Sequence, residues 1–574
     1  MSPHAGASLT RQLQLPRWAA VTALGVLALA ASLTSIGNSF IQDDLPIVRM
    51  NAEVHSLHLW HLFTHSYWPD PYPRELYRPL TSVLLSLEWV AGGGWPLLYR
   101  LVSILLYMVA TWAVYRLARR LLDPGPAWLA AALFAVDPVH VEAIALAVNQ
   151  AELVVATLLC LMTAWYIDRR RRGDPLTWRW ITAFAACYLA AALFKEHALL
   201  LPGLLAAAEL TVISDDRPWL SRARALRPLY LTLVLAAVCS IGARTLALGG
   251  DVRGSFIAEA LTGLGVGGRA LTMLGVVPYW ARLFLWPAHL QADYSPQEIV
   301  AATHWGTMQS LGALILVVTC AAAWYARRRL PTLTFGILWT AVGLFLVSNV
   351  LIPTGIVLAE RTLFLATVGV AIGAGALLWR IGEPIYRRGG SLGRIGTMLA
   401  LMALLVAGAV RSAFRELVWR DNLSLWSHTV VDAPLSYRGH EAYGAILFEA
   451  GEQHQAELQY QESLGLFQKA WTIWLNFADR LREHGRCDAA LYYYGRALEL
   501  TPNHLGARAS EVACLIDMGD YRKAAAEARQ GAGYSVRSGA LGIYAHIADS
   551  AWQAHAPPHS VRLPPPPTDS APPR

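Results

Sequence analysis

Asp43 and Asp44 stand side by side where the first hydrophobic run ends, in TSIGNSFIQDDLPIVRMN. Charge beside hydrocarbon is costly and is mostly kept for a task. Two carboxylates at a membrane exit suit proton abstraction from a substrate held at the membrane surface. Other polar groups follow at the ends of later apolar runs. Asp137-Pro-Val-His140-Val-Glu142 is succeeded by Asn149-Gln150-Ala-Glu152. Phe194-Lys195-Glu196-His197 lies between two short runs, and Ser348-Asn349 and Ile352-Pro-Thr-Gly lead to Glu360-Arg361. Their carboxylates offer bases, and their cations offer sites for an anionic group. Arginine suits a phosphate because its planar fork donates two parallel hydrogen bonds. Structural roles stand beside these. Glu360-Arg361 and Lys195-Glu196 can be ion pairs that only hold helices, and His140 and Glu142 can satisfy each other.

The first loop, from about Ser39 to Trp95, also carries His55, His58, His61, His65, Asp70, Glu75 and Arg78. They are interleaved with Trp60, Tyr67, Trp68, Tyr72 and Tyr77. Tryptophan and tyrosine favour the membrane interface, so an amphipathic helix is expected here. The histidine spacings fit no sharp ligand motif, and no metal ligand is assigned.

The elements that must position these residues are membrane helices. The 574-residue chain is 55% hydrophobic and 15% charged. Its mean hydropathy is +0.37. Soluble domains carry ~25% charged residues. Apolar runs of spanning character lie near 18–38, 97–117, 127–147, 150–167, 179–194, 197–213, 229–248, 308–325, 332–351, 362–379 and 394–412. The segment near 270–288 is ambiguous between a re-entrant and an interfacial piece. The first run reads as a retained helix rather than a cleaved leader.

The net charge of +7 reflects arginines in short loops rather than a nucleic-acid surface. Arg116, Arg119 and Arg120 share a side with Arg169 to Arg172, with Arg217, Arg222, Arg224 and Arg227, with Arg327 to Arg329, and with Arg380, Arg387 and Arg388. That side is expected to be cytoplasmic. The alternation then puts 39–96, 249–307, 352–361 and everything after 412 outside. Cys160, Cys187, Cys239 and Cys320 lie in apolar runs, and Cys487 and Cys514 in the tail. Neither a disulfide framework nor a zinc site is expected from them.

The tail repeats. Leu447, Leu481 and Leu515 recur at a spacing of 34, as do Gly451, Gly485 and Gly519, and Ala456, Ala490 and Ala524. Tyr460 and Tyr494 share that spacing, and Pro502 sits where a unit should end. This is the tetratricopeptide period, and stacked units make a concave binding surface. The expected domains are a membrane body over 1–412 with an outer loop at 39–96, a linker over 413–436, repeats over 437–550, and a Pro-rich disordered tail over 551–574.

The ordered set of motifs resembles a known family. The acidic pair is followed by Asn51, Tyr77-Arg78-Pro79-Leu80, Asp137 to Ala143, Phe194-Lys195-Glu196, PAHLQADYS at 287–295, and Ser348-Asn349 through Ala359-Glu360-Arg361-Thr-Leu-Phe. With the repeats, this resembles the transmembrane and TPR-repeat-containing O-mannosyltransferases, within the GT-C membrane glycosyltransferases. The resemblance implies an all-α, GT-C-like bundle of about eleven spans with its catalytic site in outer loops. It also implies a polyprenyl-phosphate sugar donor, a hexose such as mannose, and a hydroxyl acceptor, with the repeats holding a protein acceptor or partner. Asp43 and Asp44 would then be catalytic. Arg78, His140, Glu142, Lys195, Glu196, Glu360 and Arg361 would bind substrate, with Arg361 and Lys195 on the lipid phosphate. No cofactor is certain, and a divalent metal ion stays possible because GT-C enzymes differ on this.

Two departures bear on the sugar and acceptor. Asp137 stands where the family tends to have histidine, and Asn149-Gln150 replaces an expected Gly-Arg. The short loops and small array fit a bacterial inner membrane, with catalytic loop and repeats periplasmic. The alternative is a non-catalytic membrane scaffold whose repeats recruit partners.

Overall fold

In a computed structural model, the protein is described over residues 16–70, 72, 74–250, 257–533 and 539–563. Those residues form helices and loops, with no strand among them. They divide into two units. The first comprises Met1–Pro69, Arg74–Ala292 and Ile299–Leu425; the second comprises Asp70–Pro73, Asp293–Glu298 and Trp426–Arg574.

The first unit is a helix bundle. Its helices are α1 (Arg17–Ser32), α2 (Pro79–Gly92), α3 (Pro96–Leu121), α4 (Pro124–Ala135), α5 (Gln150–Arg171), α6 (Trp178–Phe194) and α7 (Leu201–Thr211). They continue with α8 (Trp219–Ala247), α9 (Val266–Leu285), α10 (Thr307–Arg329), α11 (Pro331–Leu344), α12 (Phe364–Arg388), α13 (Gly390–Val418) and α14 (Asn422–Asp432), which runs into the second unit. Proline opens α2, α3, α4 and α11, where its missing N–H costs nothing. Arginines close α3, α5, α10 and α12, next to the negative end of the helix dipole.

Among the described residues, seven helical segments are long and apolar enough to cross a membrane: Arg17–Gly37, Pro96–Leu121, Ala147–Arg171, Trp219–Ala247, Thr307–Arg329, Glu360–Arg388 and Gly390–Val418. The protein is therefore an integral, multi-pass membrane protein. The four other apolar runs expected as spans are broken or short. Helix α4 bends by 47° into Pro138–Ala145. Helices α6, α7 and α11 have 17, 11 and 14 residues. The reason is local. Asp137-Pro138, the turn Glu196–Leu200 and the left-handed Asn349 (φ 55°) interrupt runs that hydropathy would carry through, and helix α6 simply ends at Lys195. Non-helical backbone at such depth is tolerated where protein covers it. Helix α9 is 20 residues long but is not among the seven.

Helices α5 and α12 form the centre, buried over 78% and 67% of their most apolar stretches. Helices α10 and α13 are buried over 6% and 11%, so their apolar faces are left for lipid. Helices α11 and α12 approach backbone to backbone. A Cβ on Gly369 would stand 2.3 Å from the Gly336 carbonyl oxygen. Small residues allow this contact, and van der Waals packing drives helix association in lipid.

The arginine turns gather at one end of the bundle. Arg120 pairs with Asp168 at 2.6 Å, and Arg170 with Glu209 at 2.6 Å and Asp215 at 2.8 Å. Asn349 seals a loop by donating to the Val347 and Ile356 carbonyls and accepting from Thr354.

The second unit repeats a helical hairpin: α15 (Tyr437–Glu449) with α16 (Gln453–Leu466), α17 (Trp471–Glu483) with α18 (Cys487–Leu500), and α19 (Leu505–Asp517) with α20 (Tyr521–Ala532), followed by α21 (Gly539–Gln553). The 34-residue spacing has a physical basis. Gly451, Gly485 and Gly519 turn each hairpin at φ 82°, 74° and 81°, a conformation that glycine adopts without strain. Ala456, Ala490 and Ala524 are fully buried where the paired helices meet.

Three expectations change here. Cys487 and Cys514 form a disulfide between adjacent hairpins, 27 residues apart in sequence, although their spacing resembles no framework. The expected linker over 413–436 is largely helical, through α13 and α14. The first residues of the Pro-rich tail are docked, with the Tyr521 hydroxyl donating to the Pro557 carbonyl at 3.0 Å and the His559 N–H to the Asp517 carbonyl at 3.0 Å. Residues 564–574, also expected to be disordered, lie outside the described residues.

Candidate functional site

The acidic pair leaves the first span through a tight turn. Gln42 takes a left-handed backbone conformation, φ 45°, and its N–H donates to Asn422 Oδ1 at 3.3 Å. Beyond this turn the two carboxylates enter different surroundings. Asp44 is fully buried. Its Oδ2 accepts from Arg100 Nη2 at 2.8 Å and from the Ala147 N–H at 3.1 Å, and its Oδ1 accepts from the Val148 N–H at 3.0 Å. Arg100 is equally buried and also donates to the Ser39 carbonyl at 2.7 Å. Asp44 therefore fastens the first loop to α3 and to the segment before α5.

Asp43 is only partly enclosed, and none of the described residues hydrogen-bonds its carboxylate. Arg361, Arg78 and Lys195 all act on it electrostatically. Burial pushes the Asp43 carboxyl above its ordinary 3.8; Arg361 pulls it back, Asp44 adds to the rise, and Arg78 and Lys195 oppose it.

Each of those cations is held by a carboxylate of its own. Arg361 Nη1 pairs with Glu142 Oε1, and the Arg361 backbone N–H donates to Glu142 Oε2 at 2.8 Å. Lys195 Nζ lies 2.8 Å from Glu152 Oε1, and His197 Nδ1 lies 3.3 Å from Glu152 Oε2. Arg78 donates from Nε and Nη2 to Glu196 Oε2 at 3.1 and 2.9 Å, with Arg244 at 3.6 Å on the other oxygen. Burial works to raise the Glu196 pKa, but the Arg78 charge and hydrogen bonds outweigh it and hold the group at about 2. The pairs thus serve as structural contacts and also aim the cations. Arg361 keeps Nε and Nη2 without a partner among the described residues, and its side chain is 18% exposed. A phosphate can take those two donors together.

Other expected site residues are placed differently. His140 is fully buried, with Nδ1 3.0 Å from the Tyr107 hydroxyl and Nε2 2.7 Å from the Thr367 hydroxyl. Its ring packs among Phe134 and Phe364. Substrate binding by His140 does not fit, because both nitrogens are taken and no face is open. Glu360 is 1% exposed and accepts from the Gln291 N–H at 2.7 Å, which makes it a loop fastener. Asp137 caps its own turn through the Val139 N–H at 3.0 Å, and Gln150 turns inward to Glu88 at 2.9 Å.

Sequence reasoning passed over Arg100 and left Glu152 and Tyr67 without roles. An arginine at the outer end of the apolar run 97–117, away from the basic turn at Arg116 to Arg120, was the available signal for Arg100. Tyr67 is 3% exposed and its hydroxyl has no partner among the described residues, which is rare for a buried group. The Arg78 guanidinium carbon lies 5.4 Å from the Tyr67 ring centre, and Asp43 is within electrostatic reach. Nothing in the sequence distinguished this tyrosine from its neighbours.

Fold and site together define an all-helical, multi-pass membrane protein with a carboxylate set among aimed cations. Residues 90–242 match the family described as Dolichyl-phosphate-mannose-protein mannosyltransferase. The chain is 26% identical over 562 residues to Protein O-mannosyl-transferase Tmtc1 of Drosophila melanogaster, covering 80% of this chain and 62% of that one. It is 30% identical over 322 residues to Tmtc2 of the same organism, covering 53% of this chain and 33% of that one. These matches bear out the resemblance to the transmembrane and TPR-repeat O-mannosyltransferases, although the chain spans less than two thirds of either relative. The apo oligosaccharyltransferase of Archaeoglobus fulgidus aligns with a TM-score of 0.42 and 14% identity over 71% of this chain and 56% of that one, too slight a likeness to build on.

Proposed function

We propose that this protein is a membrane glycosyltransferase that moves a hexose such as mannose from a polyprenyl-phosphate donor to a hydroxyl on a protein. One observation carries the reading. Asp43 is a carboxylate with no hydrogen-bond partner among the described residues, held among Arg361, Arg78 and Lys195. Asp43 accepts the proton of the acceptor hydroxyl. The acceptor oxygen attacks the anomeric carbon, and the bond from that carbon to the phosphate oxygen breaks. The lipid phosphate departs with the electron pair, its charge met by Arg361 and Lys195. Phosphate is a competent leaving group, so no second carboxylic acid is required, unlike in glycoside hydrolysis. The displacement inverts the anomeric carbon. Tyr67 supplies a hydroxyl donor to a sugar or phosphate oxygen.

We place this chemistry, and the tail, on the extracytoplasmic side. The arginine turns gathered at the far end of the bundle support that orientation. The Cys487–Cys514 disulfide supports it separately, because disulfides persist in oxidising compartments. We read the 34-residue hairpins as tetratricopeptide units that hold the acceptor protein or a partner.

The test uses membranes carrying wild-type protein or Asp43→Asn at matched expression, given labelled polyprenyl-phosphate mannose. Label is expected in protein with wild type and at least ~100-fold less with the variant. Wild-type transfer is expected to fall on acidification through a pKa above the ordinary aspartate value, because the base must be ionised and burial raises Asp43. Label entering lipid instead of protein would move the acceptor. Equal labelling by wild type and variant, or a retained anomeric configuration, would sink the mechanism.

A further inference from the structure

Folding brings Glu53, from the turn Ala52–His55, against His61 and His65 of the same loop. One carboxylate oxygen of Glu53 and one ring nitrogen each from His61 and His65 lie within 4.8 Å of one another. We propose that Glu53, His61 and His65 form a binding site for a zinc-type divalent transition metal ion, separate from the Asp43 site.

The hydrogen bonds specify which nitrogen His65 offers. Its Nδ1 lies 3.1 Å from the His61 carbonyl, which can only accept, so Nδ1 carries the proton. The Thr64 hydroxyl, 3.0 Å from the same nitrogen, gives its own proton to the Trp60 carbonyl at 2.8 Å and so leaves that assignment undisturbed. Nε2 of His65 is thereby left with its lone pair free. A backbone carbonyl orienting the second nitrogen is the usual support of a metal-bound histidine. His61 Nδ1 stands 3.7 Å from Glu53 Oε1, too far for a good hydrogen bond. Two ligands on one tetrahedral zinc ion are ~3.4 Å apart, given bonds of ~2.1 Å. The His61 and His65 rings lie parallel, their centres 3.8 Å apart. His61 stands in the short helix Leu59–Thr64, and His65 is the residue that ends it.

Two imidazoles and one carboxylate suit zinc and its neighbours, whereas magnesium and calcium want oxygen ligands. His61 is exposed, so a fourth position stays open to water. The ion would clamp the helix Leu59–Thr64 to the turn Ala52–His55. That helix is tied onward, since the Tyr77 hydroxyl donates to the Phe63 carbonyl at 2.9 Å and the Tyr67 N–H to the Leu76 carbonyl at 2.6 Å. The clamp therefore orders the loop on which Tyr67 and Arg78 stand.

The test uses purified full-length protein with a tag free of histidine, stripped with a chelator and then exposed to Zn²⁺ or Mg²⁺. After desalting, metal is measured by mass spectrometry, and thermal unfolding is followed in parallel. Wild type is expected to retain one equivalent of zinc and no magnesium, and to unfold at a higher temperature with zinc. The His61→Ala/His65→Ala variant should retain none and lose the shift, and Glu53→Gln should bind at least ~10-fold more weakly. Matching unfolding of wild type and variant without metal shows that the variant folds. If the double variant fails that control, the exposed His61→Ala alone serves. Equal zinc retention by variant and wild type, or none by wild type at micromolar zinc, would overturn the proposal. Because the readout is binding, it stands or falls apart from the transferase reading.

Discussion

Asp43 and Asp44 are adjacent in the chain, yet their surroundings give them opposite characters. Asp44 is saturated by Arg100 and two backbone donors, while Asp43 faces cations that are held elsewhere. Their substitutions should therefore separate. Asp44→Asn removes the countercharge of a fully buried arginine, which costs about 3–5 kcal/mol. Asp43→Asn breaks no such contact and should change stability by no more than about 0.5 kcal/mol while abolishing transfer. Thermal unfolding of the two purified variants checks this, and a less stable Asp43 variant would reverse the assignment. The sequence offered both residues as one motif. Only the positions of Arg100 and the 147–148 backbone tell them apart.

At the scale of elements, the bundle depends on helices meeting without side chains between them. Gly369 on α12 and Gly336 on α11 each lack room for a Cβ against the other's backbone. Gly369→Val should destabilise the protein by about 1–3 kcal/mol, because rigid backbone must move apart. Gly242 in α8 has open space around it, so Gly242→Ala serves as the control. Comparable unfolding temperatures for both variants would show that the α11–α12 contact is not tight. Hydropathy made the long helices legible but carried three runs across breaks at Asp137-Pro138, Leu200-Leu201 and Asn349, and took as a span the short helix that stops at Phe194. Those breaks include the sites of the polar clusters. The chemistry and the interruption have the same cause, since backbone that leaves a helix frees ends to carry charged side chains.

For the whole molecule, sidedness is the property to test. The proposed orientation puts Met50 outside and Arg172 inside, and both side chains are exposed. Met50→Cys and Arg172→Cys are made in a background lacking Cys160, Cys187, Cys239 and Cys320. They are then labelled with an impermeant maleimide in sealed vesicles of known orientation. Position 50 should label only from the extracytoplasmic side and position 172 only from the other. The opposite pattern would turn the molecule over and place the Cys487–Cys514 pair in a reducing compartment, where disulfides are rare.

The sequence by itself determined the membrane character, the arginine-rich side, the 34-residue period of the tail and the identity of the charged clusters. Each is written in local order: an apolar run, a basic turn, or a recurring Leu, Gly and Ala. Tertiary structure decided which cluster members meet. Arg361 reaches Glu142 across 219 residues, and Arg78 reaches Glu196 across 118. Over shorter separations, the Cys487–Cys514 bond and the approach of Glu53 to His61 and His65 also come from folding. Pairing across such separations depends on how helices pack in space, and packing leaves no periodic trace in the chain.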